Sequence, residues 1–129
     1  MDSPSMESVV VSQLGEEGFR GLTAAFYTRV KEDDLLGPMY PDQDWEGAEK
    51  RLCDFLLFRF GISAQYIKER GHPRLRMRHM PFSIGEAERD RWLELMAEAI
   101  EEIGLQGEAR DLLFAFFDQV ADFMRNRPD

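Results

Sequence analysis

The stretch "YIKERGHPRLRMRHMPFSI", residues 66–84, decides how this chain is read. It gathers Arg70, Arg74, Arg76, Arg78 and both of the chain's histidines, His72 and His79, in a protein of formal net charge −9. Gly71, Pro73 and Pro81 keep any helix there short, because glycine adds backbone freedom and proline removes a donor. His79 follows this turn-rich run and precedes "MPFSI" (80–84). That places it at the end of a short helix, facing inward with Phe82 and Ile84.

Outward from this stretch the periodicity is helical. Phe19, Leu22, Phe26 and Val30 recur at spacings of three and four and predict a helix from about Glu16 to Lys31. Residues 1–12 read as a loose leader, so the domain proper is set at 15–129, behind a leader over 1–14. "DDLLGPMYPDQD" (33–44) reads as turns, with Asp44 as the N-cap of a second helix. Trp45, Ala48, Leu52, Phe55, Leu56 and Arg59 form its stripe, which stops at Gly61. "SIGE" (83–86) has the form of a capping box, Ser83 with Glu86. Behind it Trp92, Met96, Ala99 and Ile103 mark a helix to Gly104. Leu113, Phe116, Phe117, Val120 and Phe123 mark the last one. Alternating strand patterns are absent. The expectation is an all-α domain of five or six helices, several of them short.

Composition narrows the chemistry. At 129 residues, with 43% hydrophobic and 12% aromatic content, the chain can build one real core. No stretch approaches the ~18 apolar residues of a membrane span. The N-terminus lacks the pattern of a secretory signal, and the lone cysteine, Cys53, excludes an intrachain disulfide. A cytoplasmic protein is expected. The acidic balance argues against nucleic acid as a partner, since phosphates would be repelled. Two His and one Cys are too few for a structural zinc site. Neither a nucleophile elbow nor a phosphate-binding glycine loop is present.

A lone histidine in a chain is more often structural than a ligand. Here its context favours chemistry, because one inward imidazole among large apolar side chains suits an axial ligand to a haem iron. One ring nitrogen would bind the metal while a carbonyl orients the other. Haem also carries anionic propionates, which would give the nearby arginines a partner. The other reading of the arginines is a solvated face paired with Glu69, Glu86 or Glu88. The residues leave both open.

Four segments, "FYTRV" (26–30), "MYPDQDWEGAEKRLCDFL" (39–56), the opening stretch and "ERDRWLELM" (88–96), resemble in order those of group II truncated haemoglobins. The resemblance implies a two-over-two helical sandwich around haem b. It implies His79 as the proximal iron ligand, Tyr27 and Trp92 as distal residues, and Tyr40 as a further distal aromatic. Leu52, Phe55 and Leu56 match the distal-helix wall. Leu75, Phe82, Ile84 and Met96 match the apolar lining. Arg51, Arg78, Tyr66 and His72 match positions near the propionates or the pocket edge. Ala48 stands where many globins carry a polar residue. The family often carries Gly-Gly near the first helix and after the distal helix, where this chain reads "LGEEGF" (14–19) and "FGISAQY" (60–66). The turn after the distal helix, and ligand access beside it, are therefore expected to differ.

These matches imply reversible binding of dioxygen and other diatomic gases at a pentacoordinate iron, as in oxygen transport. Bound dioxygen takes on partial negative charge, which Tyr27, Trp92 and Tyr40 could stabilise by donating hydrogen bonds. The rival is a redox enzyme on the same haem, a nitric oxide dioxygenase or a peroxidase-like activity, served by a reductase the sequence does not identify. A haem-free acidic interaction module is a third class, and the colour of the purified protein separates it from the others. Exposed Phe or Met on the last helix would offer a homodimer surface.

Overall fold

The apolar periodicities become four α-helices among residues 5–40, 44–63 and 85–124, which the computed structural model describes. They are α1, Met6–Lys31; α2, Trp45–Arg59; α3, Glu86–Glu102; and α4, Gly107–Phe123, with a 3-10 turn over Gly37–Met39 before α2. No strand occurs among the described residues. The expected short helices after Gly61 fall outside the described residues from 64 onward.

The α1 stripe is realised as read. Phe19, Leu22, Phe26 and Val30 are fully buried, and the helix ends at Lys31. α1 packs against α2, α3 and α4, and α3 packs against α4. The loose leader is corrected: residues from Met6 onward are helical, with Ser5 as the N-cap accepting the Ser8 N–H at 3.1 Å. Gly15, at φ +63°, bends α1 between the two segments. Val10 is fully buried, and Met6, Val9, Val11 and Leu14 pack partly buried beside the core. Burial of these side chains holds the first segment as helix. The glycine interrupts the period that would have revealed it.

The helix ends are built from local chemistry. The Asp44 carboxylate accepts the Gly47 N–H at 3.0 Å and caps α2, as expected. At the other end Gly61, at φ +78°, closes α2 in a Schellman motif. The Ile62 N–H donates to Leu57 O at 2.7 Å, and the Gly61 N–H to Phe58 O at 3.0 Å. The cap of α3 lies two residues beyond the expected one. Gly85 is the N-cap, and its N–H donates to the Glu88 carboxylate at 3.0 Å, so Glu88 fills the role assigned to Glu86.

A continuous path of ring contacts runs through the core. Phe19 meets Phe60 at 5.1 Å between centroids, Phe60 meets Phe116 at 5.2 Å, and Phe116 meets Phe117 at 5.4 Å. Phe117 then reaches Trp92 at 5.6 Å, and Trp92 reaches Phe26 at 5.0 Å. These tilted and edge-on pairs suit the ring quadrupoles and join α1, α3 and α4 to the C-cap of α2. Their far end carries the candidate site.

Candidate functional site

Phe26 is the hinge of the site, because one ring organises two polar aromatics. On one side it meets Tyr27 edge-on at 5.1 Å, and on the other Trp92 at 5.0 Å. Tyr27 and Trp92 come from α1 and α3, so the helix packing brings together residues far apart in sequence. Tyr40, just after the 3-10 turn, joins them. Its hydroxyl lies 3.4 Å from that of Tyr27, and its ring stands edge-on at 5.8 Å. Trp45, at the start of α2, meets Tyr40 at 5.1 Å.

The polar hydrogens of this cluster are lightly used. An O–H···O bond is ordinarily ~2.7–2.8 Å, so the tyrosine pair is a weak contact that leaves both hydroxyls able to engage a third group. Trp92 is half-buried between Phe26 and Phe117, and no acceptor among the described residues takes its indole N–H. No fully buried side-chain nitrogen or oxygen among the described residues lacks a partner.

Electrostatics keep the phenols neutral. Burial pushes Tyr27 well above the ordinary tyrosine value, and the neighbouring Tyr40 adds to the rise. Burial also raises Tyr40, against the opposing pull of the Tyr27 hydrogen bond and of Arg51. At neutral pH both are O–H groups rather than phenolates. Arg51 is felt by both phenols while its guanidinium lies 3.7 Å from the Asp44 carboxylate, in a largely exposed pair.

The apolar positions are continuous with the cluster. Leu56 and Met96 are fully buried, Phe55 and Ala48 are nearly so, and Leu52 is half-buried. All join one hydrophobic cluster with Tyr27, Trp92 and Tyr40. Leucine, phenylalanine and methionine beside neutral O–H and N–H donors fit a planar, largely apolar haem with a small polar ligand. Tyr66, His72, Leu75, Arg78, His79, Phe82 and Ile84 lie outside the described residues.

Sequence reading missed one pair beside the site. The Asp33 carboxylate is buried in the turn before Tyr40, and Arg91, next to Trp92 on α3, donates its Nε–H to it. By sequence Asp33 reads only as part of a turn. Its partner lies 58 positions away, beyond the reach of local spacing.

Comparison with known proteins gives a consistent result. Residues 12–126 match the family model described as bacterial-like globin. The group 2 truncated hemoglobin YjbI of Bacillus subtilis (strain 168) is 39% identical over 116 residues, covering 90% of this chain and 87% of that protein. The X-ray structure of a thermostable hemoglobin from Thermobifida fusca superposes with a TM-score of 0.88 at 41% identity, covering 93% of this chain and 98% of the other. The structure of a truncated oxygen-avid haemoglobin from Bacillus subtilis superposes with a TM-score of 0.85 at 37% identity, covering 91% and 98%. The four helices are thus those of the two-over-two globin sandwich, and the chain belongs to the group II truncated haemoglobins.

Proposed function

We propose that this chain is a haem b protein that reversibly binds dioxygen and other small diatomic ligands, with His79 as the only protein ligand to a pentacoordinate iron. Tyr27, Trp92 and Tyr40 then line the ligand side. Haem supplies the iron at which a diatomic ligand binds, and the propionates that Arg51 and Arg78 would hold. Tyr66 and His72 take the pocket edge, while Leu75, Phe82, Ile84 and Met96 supply apolar lining.

The observation that carries this reading is the meeting of the Trp92 indole, whose N–H has no acceptor among the described residues, with two neutral phenols around Phe26. A donor in a dry pocket is worth about 1–3 kcal/mol against a partly negative ligand, or roughly ten- to a hundredfold in its release. Because Tyr27 and Tyr40 stay protonated, they donate hydrogen bonds rather than compete as anionic ligands. Leu52, Phe55 and Leu56 keep water away and so preserve the strength of those bonds. The small Ala48 leaves room instead of adding a fourth polar group. The likeness to an oxygen-avid haemoglobin supports slow oxygen release here as well.

Slow release supports a second reading. A ligand held by three donors makes a poor cargo for oxygen transport and a good substrate for redox chemistry, such as nitric oxide dioxygenation, with a reductase partner. Turnover of nitric oxide by the oxygenated protein separates the enzyme from the carrier. The buried lone Cys53 suits a cytoplasmic setting for either.

Two measurements test the site. His79→Ala is expected to lose most haem and its Soret band while His72→Ala keeps both; the reverse pattern would move the ligand to His72. Trp92→Phe keeps an aromatic filler and removes the N–H. It should speed oxygen release about tenfold or more, from a lost bond of ~1–2 kcal/mol. Carbon monoxide release should change far less, because carbon monoxide accumulates less charge. Unaltered oxygen release in Trp92→Phe would make Trp92 a core aromatic only.

A further inference from the structure

We propose that the Asp33–Arg91 ion pair is a positioning device for Tyr40, tying the turn that carries Tyr40 to the helix that carries Trp92. It thereby sets how the donors face a ligand. The inference rests on the ligand-binding reading above and adds two residues that never touch the ligand.

Asp33 uses both carboxylate oxygens. Oδ2 accepts the Leu36 N–H at 2.9 Å and the Leu35 N–H at 3.2 Å, which folds the chain into a turn. Oδ1 accepts the Nε–H of Arg91. The Asp33 side chain is only 4% exposed, so loss of its partner would strand a buried charge. From this anchor the turn is stepped: the Gly37 N–H donates to Asp33 O at 3.0 Å, and the Tyr40 N–H to Gly37 O at 3.1 Å. Buried Leu36 fastens the same turn into the core. Tyr40 is thus two hydrogen-bonded steps from Asp33, and Trp92 is the residue after Arg91.

Glu94 holds the other edge of the guanidinium at 2.9 Å, which fixes the fork in one orientation. The 3.4 Å contact between Tyr40 and Tyr27 is too weak to place Tyr40 by itself. Arg89 supplies a built-in control. It lies on the same helix and makes an equally clear inter-helix pair, with Asp122 at 2.8 Å, but touches nothing in the Tyr40 turn.

The test uses the full, haem-loaded chain and two readouts. One is oxygen dissociation; the other is nitration of Tyr40 by tetranitromethane, located by peptide mass. Asp33→Asn and Arg91→Gln should each speed oxygen release about three- to tenfold and raise Tyr40 nitration. Arg89→Gln should lower the melting temperature and move neither readout. With Tyr40→Phe as background, Arg91→Gln should add no further acceleration, because the two changes act through one residue. Arg91→Lys keeps the charge without the fork and should restore only part of the wild-type rate. It carries the same test should Arg91→Gln fail to fold. If Asp33→Asn and Arg91→Gln leave both readouts at wild-type values while Trp92→Phe speeds release, the pair is structural only and the inference is overturned. If Trp92→Phe and Tyr40→Phe also leave release unchanged, the ligand-binding reading fails instead, and nitration alone then decides whether the pair places Tyr40.

Discussion

Tyr27 shows how much one side chain owes to its surroundings. Its phenol is raised by burial and by Tyr40, so the folded chain holds that proton more tightly than the unfolded chain does. The resulting stability is fully present below the unfolded value of about 10 and is lost as pH rises through the folded one. Asp33 behaves with the opposite sign. Burial pushes its carboxyl up, but the Leu36 N–H and Arg91 outweigh burial and hold it below the ordinary carboxylate value. Its contribution is present above about pH 3.9 and fades as pH falls through the folded value. The expected outcome is that urea midpoints drop between about pH 9 and 11 for the wild type and drop less for Tyr27→Phe. Equal drops in both proteins would show that Tyr27 is not the group responsible. At this scale the sequence was only partly legible. Residue type and order singled out Tyr27, Tyr40 and Trp92 through a family resemblance. Their meeting around Phe26 depends on how α1 and α3 pack, which no spacing states. The tie between Asp33 and Arg91 stayed invisible for the same reason.

Helix ends were the most readable elements and also the place of the clearest misreading. Asp44 and Gly61 punctuate α2 as expected because each acts within its own turn. Ser83 with Glu86 fits the full capping-box pattern, yet the helix starts two residues later, where Gly85 has no side chain to offer and only the Glu88 half of the box forms. Single glycines at Gly15 and Gly61 supply the positive φ that the bend in α1 and the end of α2 require. A Cβ at Gly61 would meet nothing within 4 Å among the described residues, so its substitution chiefly tests backbone strain. Gly61→Ala is expected to cost about 1–2 kcal/mol. Asp44→Ala should cost about 1 kcal/mol through the lost cap. Gly47→Ala should resemble Asp44→Ala, because its Cβ would collide with the Asp44 carboxylate. Thermal melts of the three variants check the set, and a neutral Gly61→Ala would mean that the turn relaxes out of the left-handed region.

Across the whole molecule, stability and site geometry share the same rings. Phe117 is 1% exposed and touches both Phe116 and Trp92. Phe117→Ala should therefore cost about 3–5 kcal/mol and also free Trp92, changing oxygen release although residue 117 carries no polar atom. Near-ultraviolet circular dichroism and far-ultraviolet helix signal should melt together in the wild type, because the ring path joins α1, α3 and α4 to the C-cap of α2. In Phe117→Ala the near-ultraviolet signal should fall first. Phe123, 60% exposed, is the most exposed large apolar side chain among the described residues of the last helix, and a homodimer proposed there would use it. Sedimentation of Phe123→Glu against wild type checks it.

The ring path also has an optical consequence. The chain has two tryptophans: Trp92 stands on this path against Phe26 and Phe117, and Trp45 is reached from its end through Tyr27 and Tyr40. Tyr27 and Tyr40, excited in the ultraviolet, have an indole acceptor within a few ring contacts, so their energy drains to tryptophan. The emission they would have given then issues from indoles beside the proposed pocket. A strongly absorbing chromophore seated there would darken the protein, and its departure would light it up.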